Sequence, residues 1–145
     1  MAAAHAPFTI RLLSWTEALP HARPVREQVF ILEQGVPREI EWDDLDAASD
    51  HALALDRDGN AIGTGRLLAE GRIGRMAVLK SWRGQGVGAA LLSRLVEQAR
   101  AKGMRRITLH AQTHAAGFYR RYGFTACGEE YLEAQIPHFE MFRDL

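Results

Sequence analysis

Apolar positions along this chain recur with two periods, and the switches between them outline its elements. Residues 8–13 read as a short strand. Residues 23–34 carry Val25, Val29, Phe30 and Leu32 on an imperfect helical stripe. Pro24 suits that helix's first turn, and Gly35-Val36-Pro37 ends it. Residues 39–50 have no period and are acidic, which predicts an irregular connection. Residues 51–55 and 62–68 predict strands joined by Asp56-Arg57-Asp58-Gly59-Asn60, a strong hairpin signal. Residues 72–79, entered through Gly71, predict the next strand. Residues 86–102 give the clearest helix. Val87, Leu91, Leu92, Leu95, Val96 and Ala99 share its stripe, Arg100 and Lys102 suit its C-terminal dipole, and Gly103 caps it. A strand over 106–112 and a short helix over 114–122, closed by Gly123, follow. Two strands, 124–131 and 136–142, flank Glu133-Ala134.

The order β-α-β-β-β-α-β-α-β-β predicts an α/β (α+β) fold, a mixed sheet with helices on its faces. There are no repeats, low-complexity tracts or linkers. Composition adds bounds. At 145 residues, 47% hydrophobic and 25% charged, the chain has the make-up of one globular domain with a real core. A net charge of zero argues against nucleic-acid binding, which needs surplus Lys and Arg. No apolar run approaches the ~20 residues of a membrane span. The start, Met1 to Pro7, lacks the basic and long apolar regions of a secretory leader. One cysteine, Cys127, cannot form an internal disulfide, so the expected compartment is the cytoplasm.

The chemistry concentrates at Met76-Ala77-Val78-Leu79 followed by Arg83-Gly84-Gln85-Gly86-Val87-Gly88 and the long helix. A strand, a glycine turn and a helix N-terminus aim free backbone N–H groups at an anion such as a phosphate. A P-loop does not fit, because Gly88 is followed by Ala89-Ala90 rather than Lys-Ser/Thr. A dinucleotide fold fits poorly. The glycine spacing is wrong, and the next strand ends in His110-Ala111-Gln112 instead of an acidic residue.

Arg83-x-x-Gly86-x-Gly88 resembles the acyl-CoA pyrophosphate loop of the GNAT superfamily of N-acetyltransferases. Gly117-Phe118-Tyr119-Arg120-Arg121-Tyr122-Gly123-Phe124 is similar to that superfamily's helix beside the cofactor. Residues 25–34, Asp43, Asp46, His51, Gly63-Thr64-Gly65-Arg66, Leu109 to Gln112 and Ala134 to His138 resemble its ElaA-like branch. The resemblance implies a GNAT-like acyl-CoA N-acyltransferase fold, with a central, mixed, mostly antiparallel sheet flanked by helices. One such domain would fill residues 1–145, with 1–7 as a flexible tail. It implies acetyl transfer from acetyl-CoA, as co-substrate, to a primary amine by direct attack in a ternary complex. The main alternative is a non-catalytic acyl-CoA-binding module.

By the same resemblance, the backbone of Met76, Ala77 and Val78 would hold the pantetheine arm and the thioester carbonyl. Arg83, Gly84, Gln85, Gly86, Val87, Gly88 and Ala89 would hold the pyrophosphate. Gln112 stands where many relatives have a cofactor-touching asparagine. Phe118 would pack beside the cofactor, Tyr119 would protonate the departing thiolate, and Arg121 would reach the 3′-phosphate.

An amine with a pKa near 10.4 is about 3.4 units too protonated at pH 7, a penalty of roughly 4.6 kcal/mol. A base, a water chain or a depressed substrate pKa must help, and His110, His51 and His138 are candidate bases because histidine as a residue type titrates near neutrality, His110 being the catalytic candidate. Glu33, Glu41, Asp43, Asp44 and Asp46 are carboxylates that could recognise a cationic acceptor, although the plainer expectation is a solvated acidic loop. The acceptor-binding set is Glu33, Asp46, His51 and His138. No metal is expected. His110 and His114 straddle a strand-to-helix break, and Ala111 stands where a metalloprotease has glutamate. The expected partners are a small-molecule or peptide amine and, for the assembly, a homodimer, with no nucleic acid or membrane.

Overall fold

The computed structural model describes residues 7–145, so all of the expected tail except Pro7 lies outside the described residues. Strand β1 (Thr9–Leu13) leads through Ser14 into α1 (Trp15–Arg26), which continues in π-helical turns over Glu27–Glu33. The sequence reading starts this helix at 23; it begins at Trp15. Pro20 and Pro24 hide the true start. Each removes one helical N–H, but both sit on the exposed face, where the freed carbonyls meet water. The inner face carries the fully buried Ala18 and Ala22.

The connection expected to be irregular holds α2 (Arg38–Glu41) and a single 3₁₀ turn, Asp46–Ala48. Then come β2 (Asp50–Leu55), β3 (Ala61–Leu67), β4 (Arg72–Val78), α3 (Val87–Ala101), β5 (Arg106–Gln112), α4 (Ala116–Arg121), β6 (Thr125–Glu133) and β7 (Ile136–Asp144). A two-residue turn joins β6 to β7, with Ala134 and Gln135 both at positive φ (51° and 65°), as a tight hairpin requires.

The strands form one seven-stranded sheet in the order β1-β2-β3-β4-β5-β7-β6. Every neighbouring pair is antiparallel except β4 and β5. Those two parallel strands meet only at Arg72↔Thr108 and Ile73↔Leu109, then part. Helix α3 covers one face of β2–β4. Its Leu91, Leu92 and Leu95 are at most 1% exposed, and each such side chain contributes about 1.5–3 kcal/mol of burial. Glycine makes this approach possible. A Cβ on Gly65 would stand 2.5 Å from Met76 Sδ and 3.0 Å from Leu95 Cδ1. Helix α1 packs on β2 and β3, with Ala18 and Ala22 against Leu53.

Candidate active site

The parting of β4 and β5 opens a cavity of about 790 Å³. One wall is the upper half of β4, which carries a bulge. Thr64 pairs with Ala77 but Arg66 pairs with Gly74, so β4 has one extra residue there, and Arg75 adopts φ 50°. A non-glycine residue in that conformation costs on the order of 1–3 kcal/mol unless its surroundings hold it. Arg75 is held by its guanidinium, which donates to the carbonyls of Glu41 (3.2 Å) and Ile40 (3.3 Å) and to Asp43 Oδ2 (3.2 Å). The bulge re-aims the backbone of Met76, Ala77 and Val78 along the cavity wall.

At the end of this wall the chain turns through Gly84 and Gly86, at φ 77° and 86°, into α3. A Cβ at either glycine would project into open space, so the groove is clear above the turn. The first helical bond runs from Ala90 N–H to Gly86 C=O, leaving the N–H groups of Val87, Gly88 and Ala89 without a helical acceptor. Free N–H groups at the start of a helix favour an anionic partner. Gly88 lines the cavity beside Phe118. Arg83 is engaged elsewhere. Its N–H bonds to Lys80 C=O, Nε to Val78 C=O at 3.0 Å, and the two remaining nitrogens to Glu33 at 2.6 and 2.8 Å. That pairing holds the Glu33 carboxyl below its usual range. Arg83 thus ties the glycine turn to the π-helical segment. Gln85 braces the same turn by donating to Ser81 C=O.

Across the cavity, Gln112 exchanges side-chain amide bonds with Gln34 (2.8 and 3.4 Å). No local pattern marks this contact, since its partners are 78 positions apart. Tyr119 also faces the cavity, its ring between Phe118 and Phe124. Burial pushes its hydroxyl up to about 12, so it stays protonated through the neutral range. Arg121 is exposed at the end of α4, outside the cavity lining.

At the other end, His110, His138 and Glu133 come together. His110 Nδ1 lies 3.0 Å from Glu133 Oε1, and a carboxylate there fixes the Nδ1–H tautomer and leaves Nε2 as the free acceptor. His138 Nδ1 donates to Ile136 C=O at 2.6 Å, and its Nε2 is 3.9 Å from Glu133 Oε2. Tyr131 sits against both rings, and its hydroxyl is buried with no hydrogen-bond partner. Glu133 is the residue sequence reasoning missed. It marked only a turn, and nothing local says that the turn folds back over β5.

Asp46 and His51 are placed elsewhere. Both are buried outside the cavity lining, at 2% and 1% exposure, within a cluster of arginines. Arg26 donates to Glu41 (2.8 Å) and Asp46 (2.8 Å), and Arg66 to Asp46 (2.8 Å) and Asp43 (2.8 and 3.0 Å). His51 Nε2 donates to Asp46 C=O at 2.9 Å. This corrects the picture of a solvated acidic loop. Glu41, Asp43 and Asp46 are spent on Arg26, Arg66 and Arg75, 15 or more positions away, while Asp44 between them stays exposed as expected, and an acceptor cannot reach Asp46 or His51. The cluster pins α2 and the following loop to the β4 bulge.

This cluster makes the fold acid-sensitive. The hydrogen bond from Arg66 lowers Asp43 to about 2, below its unfolded value near 3.9. Its contribution is therefore complete above pH ~4 and lost as pH falls toward 2. Burial lowers His51 as well, so a second loss begins below pH ~6.5. Burial raises Glu41, which acts in the opposite sense. Thermal melts should show Tm falling between pH 4 and 2, less steeply in Asp43→Asn. Parallel curves would remove Asp43 from the account.

A divided mixed sheet with a bulged strand, a glycine turn and a helix N-terminus at the division defines an acyltransferase class of fold. The model of the acetyltransferase (GNAT) domain matches residues 18–145, and the chain belongs to that family. It is 39% identical over 132 residues to the uncharacterized N-acetyltransferase YjcF of Bacillus subtilis, covering 88% of this chain and 94% of that one. It is 33% identical over 129 residues to the protein ElaA of Escherichia coli (83% and 84%), and the ElaA crystal structure superposes with a TM-score of 0.84 at 27% identity, over 94% and 99%. A crystal structure of an acyl-CoA N-acyltransferase from Pseudomonas aeruginosa gives a TM-score of 0.82 at 33% identity, over 94% and 99%. The ElaA-like resemblance and the GNAT fold read from the sequence are therefore correct. The fold implies an acyl-CoA co-substrate and an amine acceptor. Among the described residues no helix is long and apolar enough to cross a membrane.

Proposed function

We propose that this chain, as a single acetyltransferase domain, moves the acetyl group of acetyl-CoA to a primary amine by direct attack in a ternary complex. The observation that supports this reading is the division of β4 from β5, with a proton donor, Tyr119, and a proton acceptor, His110, both lining that opening. Acetyl-CoA supplies a thioester carbon open to attack. The N–H groups of Val87, Gly88 and Ala89 receive the pyrophosphate, and the backbone of Met76 to Val78 orients the acyl end. His110 Nε2 takes a proton from the ammonium, and Glu133 holds the ring in the tautomer that can do so. The free amine forms the C–N bond, the C–S bond breaks, and the Tyr119 hydroxyl gives its proton to the sulfur. The second proton, shed by the nitrogen as it becomes an amide, returns to the Tyr119 oxygen, while His110 passes its own proton to water. Holding both reactants in one cavity supplies much of the rate.

Acetyl-CoA should raise the melting temperature, and thiol release should then depend on added amine. No shift would remove the co-substrate reading. A shift with no amine-dependent release would leave the acyl-CoA-binding module.

A further inference from the structure

Charged groups along the cavity pair off with one exception. Glu33 is taken by Arg83 at 2.6 and 2.8 Å. Glu41 is taken by Arg26 at 2.8 Å and Arg75 at 3.2 Å. Glu133 meets only histidines, at 3.0 and 3.9 Å, and among the described residues it is the one lining carboxylate without an arginine. Its side chain is 45% exposed, so it remains open to a partner. The cavity's arginines, Arg75 and Arg83, are committed to carboxylates and carbonyls in turn.

The wall beside Glu133 is apolar. Val29, Phe30, Val36 and Ala77 belong to one cluster, and Ala134 of the β6–β7 turn and Ile136 at the start of β7 pack against it. All six line the same cavity as the His110–Glu133 pair. The cavity therefore offers one anion free of arginine beside a hydrocarbon surface, and the amides of Gln34 and Gln112 in its lining are bonded to each other.

We propose that the acceptor is a monoamine with an uncharged, apolar body, its ammonium received by Glu133 beside His110 and its carbon skeleton laid against Phe30, Val36 and Ile136. This rests on the acetyl-transfer reading above. A second ammonium would lose its water against that wall with no free carboxylate to meet it. An amino acid's carboxylate would find both arginines occupied.

Three amines with the same carbon chain separate these cases: hexylamine, 1,6-diaminohexane and 6-aminohexanoate, which differ only at the far end. With acetyl-CoA saturating, kcat/KM for hexylamine should exceed that for the other two by ~10-fold or more. Glu133→Gln should lower the hexylamine value by a similar factor without changing the acetyl-CoA Kd. Equal or faster turnover of the diamine or the amino acid overturns the proposal, as does an unaffected Glu133→Gln. If none is turned over, calorimetry with CoA present decides. Hexylamine binding tightest supports the assignment, and any other order, or no binding, defeats it. Failure of acetyl-CoA itself to bind would instead sink the reading underneath.

Discussion

A Gly88→Glu variant should fold normally and bind acetyl-CoA at least ~100-fold more weakly, a loss of about 2.8 kcal/mol or more. Gly88 lies in the first turn of α3 and lines the cavity. A Cβ there would stand 3.6 Å from Phe118 and 3.8 Å from Val78, ordinary contact that the fold accepts without adjustment. The rest of the side chain would enter the space above the free N–H groups and bring a carboxylate to where the pyrophosphate would lie. Steric exclusion and like charge then act together. Gly88→Ala is the control, and its affinity should fall only slightly. Gly86→Glu would confuse the result, because φ 86° adds backbone strain of its own. Calorimetry with circular dichroism decides the matter. A folded Gly88→Glu protein with unchanged affinity would place the cofactor elsewhere.

Tyr119→Phe should lower kcat by roughly 10²–10⁴-fold where chemistry limits turnover, the usual range for one general acid. The Kd of acetyl-CoA should barely move, because the hydroxyl acts as the C–S bond breaks rather than in the resting complex. The ring keeps its contacts with Phe118 and Phe124, so the melting temperature should change little. The raised pKa fits this role in one respect: the donor is loaded with its proton at any pH where the enzyme would work. Single-turnover kinetics of both proteins test it. Full activity in the phenylalanine protein would make Tyr119 a packing residue and leave the proton to another source.

Local signals carried most of the fold. The stripe from Val87 to Ala99, the hairpin at 56–60 and the 106–112 strand are each set by neighbours in sequence, and the structure keeps them with ends moved by a residue or so. The glycine turn of the candidate site was legible for the same reason, since a glycine turn ahead of a helix is itself a local pattern. The start of α1 was hidden because two prolines outweigh propensity in any local reading, while tertiary burial of Ala18 and Ala22 decides the outcome. The acceptor half was barely legible. Glu133 reaches His110 from another strand, Gln34 reaches Gln112 across the cavity, and Asp43 and Asp46 find arginines on α1, β3 and β4. Charge alone could not say whether those carboxylates face water, a substrate or one another.

The two register pairs between β4 and β5 have a mechanical meaning. Backbone hydrogen bonding joins β1–β4 into one half-sheet and β5–β7 into another, with a seam between them held at one end only. Along the rest of that seam the β4 backbone has bonding capacity that no strand takes up. A molecule whose own amides lie in the gap can act as a short additional strand and stitch the halves together. Occupancy then adds bonds where side-chain packing alone now joins the halves, so the filled protein should melt higher and over a narrower range than the empty one.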